Sequence, residues 1–206
     1  SGINHNCVLF TDGSLKCFGY NFYGQLGYGD TNNRGDGSGE MGDSLPFVDV
    51  GSGRTVVDVC GGNAHTCGIL DDYSVKCWGY NGNGQLGYGD QDQRGDGAGE
   101  MGDYLPTVDV GTGLNAESIH CGDSHTCAVL NNGGSMKCWG LNGNGQLGQG
   151  NNTDLGDGPG EMGDYLPSIE LGTGLTIQLC FDLTPTMAPS LSFDPKMDPT
   201  FDPTFN

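Results

Sequence analysis

The chain has 206 residues, 40 of them glycine, and carries a formal net charge of −19. Glycine costs roughly 1 kcal/mol in a helix, so this composition excludes long helices and favours short strands joined by tight turns. A surface this acidic repels nucleic-acid phosphates and anionic membranes, and no apolar run is long enough to span a bilayer. We therefore expect neither nucleic-acid binding nor membrane insertion.

One sequence pattern occurs three times along the chain, at an offset of 60 and then 61 residues. Each copy contains H-x-C, K-C-[WF]-G, N-x-x-G-Q-L-G and D-G-x-G-E-M-G-D in that order, and closes with a short L-P segment and a G-[ST]-G turn. Such periodicity is typical of repeat architectures. The predicted units are three repeats, at about 1–60, 61–121 and 122–180, followed by a tail over 181–206.

The middle repeat predicts four strands in chain order. Val56–Cys60 is the first, His65–Leu70 and Ser74–Trp78 form a hairpin, and Pro106–Val110 is the fourth. Proline is tolerated where a strand begins. Both faces of His65–Leu70 carry apolar residues, which is typical of a sheet buried on both sides, as in stacked propeller blades.

The nine cysteines lack C-x-x-C spacing, which indicates disulfides and an extracellular or cell-surface location. Two cysteines of each repeat face each other across the hairpin, and in the third repeat both the turn and the cysteine spacing grow by one residue. We predict a disulfide in each hairpin, with a bond between Cys60 and Cys67 as the alternative. Cys60, Cys121 and Cys180 align with one another and stay without an assigned partner. The predicted pairs are Cys7 with Cys17, Cys67 with Cys77, and Cys127 with Cys138.

The acidic loops are the candidate metal sites. Calcium takes six to eight oxygen ligands, which clustered carboxylates and carbonyls on glycine-rich loops can supply. The alternative is that these are solvated turn residues, and no other cofactor is expected. The candidate ligands are Asp36, Glu40 and Asp43, Asp96, Glu100 and Asp103, and Asp157, Glu161 and Asp164.

Three histidines recur where a strand begins, at His5, His65 and His125. No nucleophile with a base and an orienting acid recurs around them, so we interpret them as structural and do not expect an enzyme. Asn151 begins the sequon Asn151-Asn152-Thr153 and is a candidate N-glycosylation site on an exposed loop.

The tail carries a proline at every fourth position from Pro195 to Pro203, in three [FM]-D-P-[KT] units. Proline at that spacing forbids a helix and favours polyproline II, which would present apolar side chains on every side. We expect other chains or glycan to cover them; a disordered stalk is the alternative. The candidate O-glycosylation sites beside these prolines are Thr184, Thr186, Ser190, Thr200 and Thr204.

The string H-T-C-x-x-L followed by K-C-W-G-x-N-x-x-G-Q-L-G resembles the repeat of the regulator of chromosome condensation, and in particular its cysteine-bearing secreted variants. The resemblance covers Ser1–Cys180. It implies an all-β fold of four-stranded propeller blades, here three repeats forming an incomplete ring or open arc, with a proline-rich extended tail. The family's best-known member is a nucleotide exchange factor that binds nucleosomes, an activity that a chain of charge −19 does not support.

Two functions remain as hypotheses. The first is an extracellular structural glycoprotein subunit that self-assembles with copies of itself, as a filament or surface appendage. In this hypothesis Thr176–Cys180 supplies the first strand that the blade of Ser1 lacks in the next molecule. The alternative is a secreted recognition module that binds another protein through propeller loops.

Overall fold

The computed structural model describes residues 1–172 and residue 177, and over them the fold is all-β. The described strands form three antiparallel sheets with the orders β1-β2, β3-β4-β5 and β6-β7-β8. We call these sheets, with the loops that follow them, blades 1, 2 and 3. No helix in the described part is long and apolar enough to cross a membrane. The strands are β1 His5–Leu9, β2 Leu15–Gly19, β3 Val56–Gly61, β4 His65–Leu70, β5 Val75–Gly79, β6 Ala116–Cys121, β7 His125–Leu130 and β8 Met136–Gly140.

The predicted fourth strand, Pro106–Val110, is reduced to one bridge between Val108 and Val75. The neighbouring carbonyls accept hydrogen bonds from side chains instead of a ladder: Tyr88 Oη donates to Pro106 O at 3.1 Å, and Lys137 Nζ donates to Val110 O at 3.0 Å. Blade 2 is thus a three-stranded sheet with a bridged outer segment, and in blade 3 the corresponding contact is a hydrogen bond from Ile169 N to Met136 O. Three one-turn 3-10 helices, Gly42–Ser44, Gly102–Tyr104 and Gly163–Tyr165, precede these outer segments.

A tryptophan holds each of blades 2 and 3 against the blade before it. Trp78 and Trp139 are completely buried, and each indole Nε1 donates to a backbone carbonyl of the preceding blade, Gln25 O at 3.1 Å and Gln85 O at 3.0 Å. A side chain at Gly87 would place its Cβ 2.6 Å from Trp139 Nε1. The glycine of each G-Q-L-G loop therefore makes room for the next blade's tryptophan.

Successive residues of a strand point to opposite faces, and in blade 2 each face meets a neighbouring blade. His65 contacts Thr126 of blade 3, whereas Thr66 contacts Gln25 of blade 1. All six residues of β4 are buried. The fold is therefore an arc of stacked blades in which only blade 2 is covered on both sides within the described residues.

Candidate functional site

Each hairpin carries a disulfide between directly opposed residues. The Cα atoms of each pair are 4.1 Å apart, and the cysteines are register partners on adjacent strands. These are the three pairs that the sequence predicts. Since the bonds lie inside single blades, they stiffen the hairpins without linking one blade to another.

A fourth disulfide joins Cys60 of blade 2 to Cys121 of blade 3, with Cα atoms 5.4 Å apart. The sequence interpretation that aligned these two residues is wrong by one position. In the strand register, Cys60 lies opposite Cys67. Cys121 lies opposite Thr126, which is the position that Gly61 takes opposite Thr66. Adjacent strand positions face opposite sides, so the two sulfurs point at each other across the junction. Cys180 lies outside the described residues.

One cluster of metal-ligand type occurs in the described part of the chain. A ring nitrogen of His65 and the sulfurs of Cys67 and Cys121 lie within 4.8 Å of one another. Both sulfurs belong to disulfides, and zinc binds thiolates rather than disulfide sulfur. In the oxidised chain this cluster is therefore two neighbouring disulfides packed against a buried histidine.

The recurring histidines link the blades. His5 Nε2 lies 2.8 Å from Thr66 Oγ1, whose hydroxyl donates to Gln25 O at 2.8 Å. His65 and Thr126 repeat this arrangement one blade later, at 3.0 Å. Burial lowers the pKa of His5 to about 4 and that of His65 to about 3, so both rings are neutral at physiological pH. Their geometry suits blade stacking.

The acidic loops use their carboxylates internally. Glu100 Oε2 accepts hydrogen bonds from two backbone amides of its own loop, both at 2.9 Å, and Glu40 and Glu161 do the same. Asp103 accepts hydrogen bonds from Ser52 N at 2.8 Å and from the Ser52 hydroxyl at 2.6 Å, and these bonds lower the pKa of Asp103. Asp164 is bound in the same way by Thr112.

Calcium in these loops stays a prediction. Burial and the neighbouring Glu100 raise the pKa of Asp96, which is what two crowded carboxyl groups produce and what a bound cation would relieve. Asp36 accepts from Asn33 Nδ2, Asp157 accepts from Gln91 Nε2, and Asp43 is exposed. Nowhere in the described residues do three of these acidic side chains bring ligand atoms within 4.8 Å of one another.

The sequon asparagine lies on an exposed loop of blade 3. Asn151 Oδ1 accepts a hydrogen bond from Thr153 N at 2.9 Å, and the sequon residues are exposed. Glycosylation there stays a prediction. The candidate O-glycosylation sites Thr184, Thr186, Ser190, Thr200 and Thr204 lie outside the described residues.

Blade 1 exposes the face that its neighbours bury. Val8 is 44% exposed and Phe10 43% exposed, whereas Gly68 and Leu70 at the same positions of blade 2 are buried. We define the rear face of blade 1 as the residues that point away from blade 2. They are identified from the alternation of side chains along β1 and from the equivalent positions in blade 2. They are Asn6, Val8, Phe10, Phe18 and Met41.

Blade 3 exposes the opposite side of the same kind of junction. A Cβ on Gly84 of blade 2 would collide with the backbone of Asp157, whereas a Cβ on Gly145 of blade 3 would meet nothing within 4 Å. Gln85 is buried, and its equivalent Gln146 is partly exposed. We define the front face of blade 3 as Gly145–Gly148, the loop that corresponds to the one receiving a tryptophan in blades 1 and 2.

Two equivalent clefts of about 510 Å³ lie on the outer side of the blade junctions. Each has a floor from one blade, formed by a tyrosine, an arginine and a proline, and a wall from the next blade, formed by a methionine and a tyrosine. We call them the junction clefts. The first has Tyr28, Arg34 and Pro46 against Met101 and Tyr104, and the second has Tyr88, Arg94 and Pro106 against Met162 and Tyr165.

Four aromatic rings form a surface cluster on the loops after β2 and β5. Tyr20 and Phe22 are stacked with ring centroids 6.3 Å apart, Tyr23 packs edge-on against Phe22, and Tyr80 of blade 2 lies 4.9 Å from Tyr23. Phe22 is 61% exposed. Blades 2 and 3 have Gly82 and Gly143 at the position of Phe22, so the cluster occurs once in the described part.

The chain is similar to known repeat proteins. Two profiles described as "Regulator of chromosome condensation (RCC1) repeat" match it, one at residues 1–25, 56–85 and 117–146 and the other at 74–129. The ultraviolet-B receptor UVR8 of Arabidopsis thaliana is 30% identical over 75% of this chain and 31% of its own length. The probable E3 ubiquitin-protein ligase HERC4 of Homo sapiens is 30% identical over 75% of this chain and 13% of its own length.

The structural comparison agrees in fold. Prp20p of Saccharomyces cerevisiae superposes on 75% of this chain with a TM-score of 0.55 at 20% identity, covering 35% of that protein. Yeast RCC1 (Prp20), in its complex with Kap60, superposes on 82% with a TM-score of 0.52. The chain thus spans about a third or less of the length of these relatives.

Proposed function

The chain belongs to the regulator of chromosome condensation repeat family, and we propose that it is a protein-interaction module serving as an extracellular structural subunit that assembles head to tail. In this assembly the front face of blade 3 in one copy receives the rear face of blade 1 in the next. The proposal contains no catalytic step. The observation that carries it is that the two complementary halves of a blade junction lie at the two ends of one arc, each without a neighbouring blade in the described residues.

The rear face supports the proposal because its apolar side chains occupy buried positions of the repeat. Leaving Val8 and Phe10 in water forgoes the stabilisation that burial gives their equivalents, roughly 25 cal/mol per Å² of apolar surface. β1 is also an edge strand in the described residues, with no strand in the position that β3 takes beside β4. Unpaired edges promote association.

The segment proposed to fill that edge is Thr176–Cys180, which lies outside the described residues except for Ile177. Counted from the preceding G-x-G turn, Ile177 has the repeat position of Val56 and Ala116, the first residues of β3 and β6. Its addition to β1 of the next copy would be a strand complementation. A heterologous contact of this kind generates either a closed ring or an open filament.

The end junction differs from the internal ones at two positions. Thr66 and Trp78 both donate hydrogen bonds to Gln25 O, but blade 1 has Asn6 and Phe18 at those positions. Asn6 keeps a donor and Phe18 does not. We therefore propose a junction weaker than those inside the chain, which suits a subunit that is soluble before it assembles.

The extracellular location is supported by four disulfides in the described residues, since such bonds persist in oxidising compartments. The exposed sequon at Asn151 supports a glycoprotein.

The test is the association state of the full chain, measured by sedimentation velocity across the micromolar range. We expect concentration-dependent oligomers. The double substitution Val8→Asp and Phe10→Asp should weaken association at least about tenfold, because a charge in a dry interface is costly. Deleting residues 175–206 should also weaken it, because the donor segment is then absent.

The matched control is Val57→Asp. Val57 is 51% exposed on blade 2, whose two stacking faces are already covered, so this change should leave association unaltered. A wild-type chain that stays monomeric throughout the range, or a control as damaging as the rear-face variant, would contradict the proposal.

The surface aromatic cluster favours a second candidate function, recognition of another protein. Exposed aromatic rings are enriched at binding hot spots. Phe22 is the most exposed ring of the four and lies outside the rear and front faces, so Phe22→Ser perturbs the cluster alone. A recognition module would remain a monomer and lose its partner on this substitution, whereas the assembling subunit would still form oligomers.

A further inference from the structure

We propose that the two junction clefts bind the proline-rich tail, residues 181–206, of a neighbouring copy. This inference rests on the proposed head-to-tail assembly and adds to it a second contact made by different residues. Aromatic-lined grooves are the usual receptors for extended proline-rich segments, whose polyproline II form is already ordered before binding.

The tyrosines and the arginine of the clefts occur only where a complete cleft exists, whereas the methionine and the proline recur in every repeat, at Met41 and Pro167 as well. Tyr104 and Tyr165 are the walls of the two clefts, and blade 1, which walls no cleft in this chain, has Ser44 at the equivalent position. Blade 3 has no following blade in the described residues, and it has Gln149 and Leu155 where the floors have a tyrosine and an arginine. The wall tyrosine and the floor tyrosine and arginine are therefore replaced where the cleft is incomplete, as expected if they serve one site.

The wall tyrosines have no packing role that explains them. Tyr104 is 82% exposed and Tyr165 is 81% exposed, whereas the floor residue Tyr28 is fixed by its hydroxyl, which donates to Cys17 O at 2.7 Å. A large exposed aromatic side chain beside an apolar cleft is what a binding site requires, because it adds contact area with little loss of conformational entropy.

The tail has the complementary composition. Its three tetrapeptide units place a phenylalanine or methionine and a proline at a fixed spacing, and these side chains need an apolar surface to cover them. Two equivalent clefts on successive blades suit a ligand that is itself a repeat. In each cleft the tyrosine, methionine and proline side chains offer that surface.

The course of the chain favours a neighbouring copy as the source of the tail. Ile177 lies beside Gly134, 3.5 Å from the position of a Cβ there. At the equivalent turn of blade 1, Val56 N donates to Gly13 O as the chain enters blade 2. Ile177 thus lies at the place in blade 3 from which, in blade 1, the chain passes into the position of the following blade. In the proposed assembly, that position belongs to blade 1 of the next copy.

The charges of the tail and of the rest of the chain affect how docking depends on salt. The tail units carry three aspartates and one lysine, and the chain as a whole has a net charge of −19. The cleft arginines are already ion-paired, Arg34 with Asp30 and Arg94 with Asp90, so the net negative charge of the chain still repels the acidic tail and apolar contact must supply the affinity. Salt screens that repulsion, so we expect docking to strengthen as the salt concentration rises.

The experiment is site-specific photo-crosslinking in the full chain. Tyr104 is replaced by p-benzoylphenylalanine, and Tyr73, an exposed tyrosine that lines neither junction cleft, is replaced in the control. Equal amounts of isotopically heavy and light chain are co-assembled and irradiated, and cross-linked peptides are identified by mass spectrometry. We expect position 104 to capture residues 181–206 at least about tenfold more often than position 73, and heavy–light pairs to be abundant.

The outcomes separate this inference from the proposed function, because sedimentation of the same samples reports assembly. Oligomers without tail cross-links at position 104 would overturn the cleft assignment and leave the face-to-face assembly standing. Tail cross-links found only within one copy would overturn the neighbouring copy as source. Adding Tyr165→Ser removes an exposed side chain of the second cleft and touches neither end face. We expect it to reduce capture of the tail at position 104, and unchanged capture would overturn a tail that occupies both clefts.

Discussion

Blades 1 and 2 share one sequence pattern and differ in what surrounds them. Thr66, Gly68 and Leu70 are buried against blade 1, whereas Asn6, Val8 and Phe10 at the same positions point to solvent. Local sequence therefore determines the hairpin, and the neighbouring blade determines burial. The difference indicates that stability in this fold resides in the junctions rather than in the blade interiors or the end faces.

The largest expected effect is loss of the inter-blade disulfide. Cys60→Ser with Cys121→Ser opens a crosslink across 61 residues, whereas Cys7→Ser with Cys17→Ser opens one across 10. Chain entropy predicts losses of roughly 4 and roughly 3 kcal/mol in the free energy of unfolding. Guanidinium denaturation of both variants checks this, after peptide mapping without reduction has found Cys60 joined to Cys121. A hairpin variant that loses more than the junction variant would contradict the dominance of the junctions.

Acid should weaken both junctions. The pKa of His5 is about 4 and that of His65 about 3 in the folded chain, below the usual 6.5, so the unfolded chain takes up more protons as pH falls below 6.5. Stability is complete above that pH and declines towards pH 4. At pH 5.5 we expect about 1.4 kcal/mol less per histidine than at pH 7.5.

Urea denaturation at a series of pH values measures that decline. The carboxyl groups whose pKa values are lowered, such as Asp90 and Asp103, titrate below the interval from pH 6.5 to pH 5. The raised pKa of Asp96 acts in the opposite direction, so the series is repeated with Asp96→Asn to isolate the histidines. A free energy of unfolding that stays constant over this interval would contradict neutral, buried histidines at the junctions.

Exchanging the aromatic residues of the two blades sharpens the comparison. Trp78→Phe gives blade 2 the residue of blade 1, removes the hydrogen bond to Gln25 O and leaves a cavity, and should cost about 2 kcal/mol. The reciprocal Phe18→Trp places the larger ring on the rear face, where no blade covers it. We expect that change to stay within about 0.5 kcal/mol at concentrations where the chain is monomeric. If Phe18→Trp raised the free energy of unfolding by as much as Trp78→Phe lowers it, the rear face would be covered in solution, which contradicts this comparison.

Much of the fold could be predicted because the repeat carries its own register. The strand His65–Leu70 lies where the sequence predicts it, its hairpin partner is shifted by one residue to Val75–Gly79, and the lengthened third turn identifies which cysteines oppose each other. The partner of Cys60 could not be derived by aligning cysteines. Cys60 lies seven residues before Cys67 and Cys121 lies six before Cys127, and this difference reverses the side of the strand that each one faces.

Side-chain competition explains the remaining differences. Pro106–Val110 has strand composition, but its carbonyls accept hydrogen bonds from Tyr88 and Lys137, which are distant in sequence. Similarly, the acidic residues of each loop look alike in sequence, whereas Glu100 closes its own loop and Asp103 binds the preceding turn. The end faces and the junction clefts depend on which blades are adjacent, and no single repeat reveals that.

Calcium should produce the smallest effect, and its size should differ between the end blade and the internal ones. Asp43, Asp103 and Asp164 are all exposed, but only Asp103 and Asp164 are bound by a preceding turn in the described residues, so the first loop has the freest ligands. A weak site of the extracellular kind has a dissociation constant near 10⁻³ M. Calcium at about ten times that concentration should raise the free energy of unfolding by about 1.4 kcal/mol. Thermal unfolding with calcium should show this gain, and Asp36→Asn with Asp43→Asn should remove most of it. Magnesium and sodium chloride at equal ionic strength are the controls, because any cation screens a chain of charge −19. If calcium stabilises no more than magnesium, the loops are turns whose carboxylates serve the backbone alone.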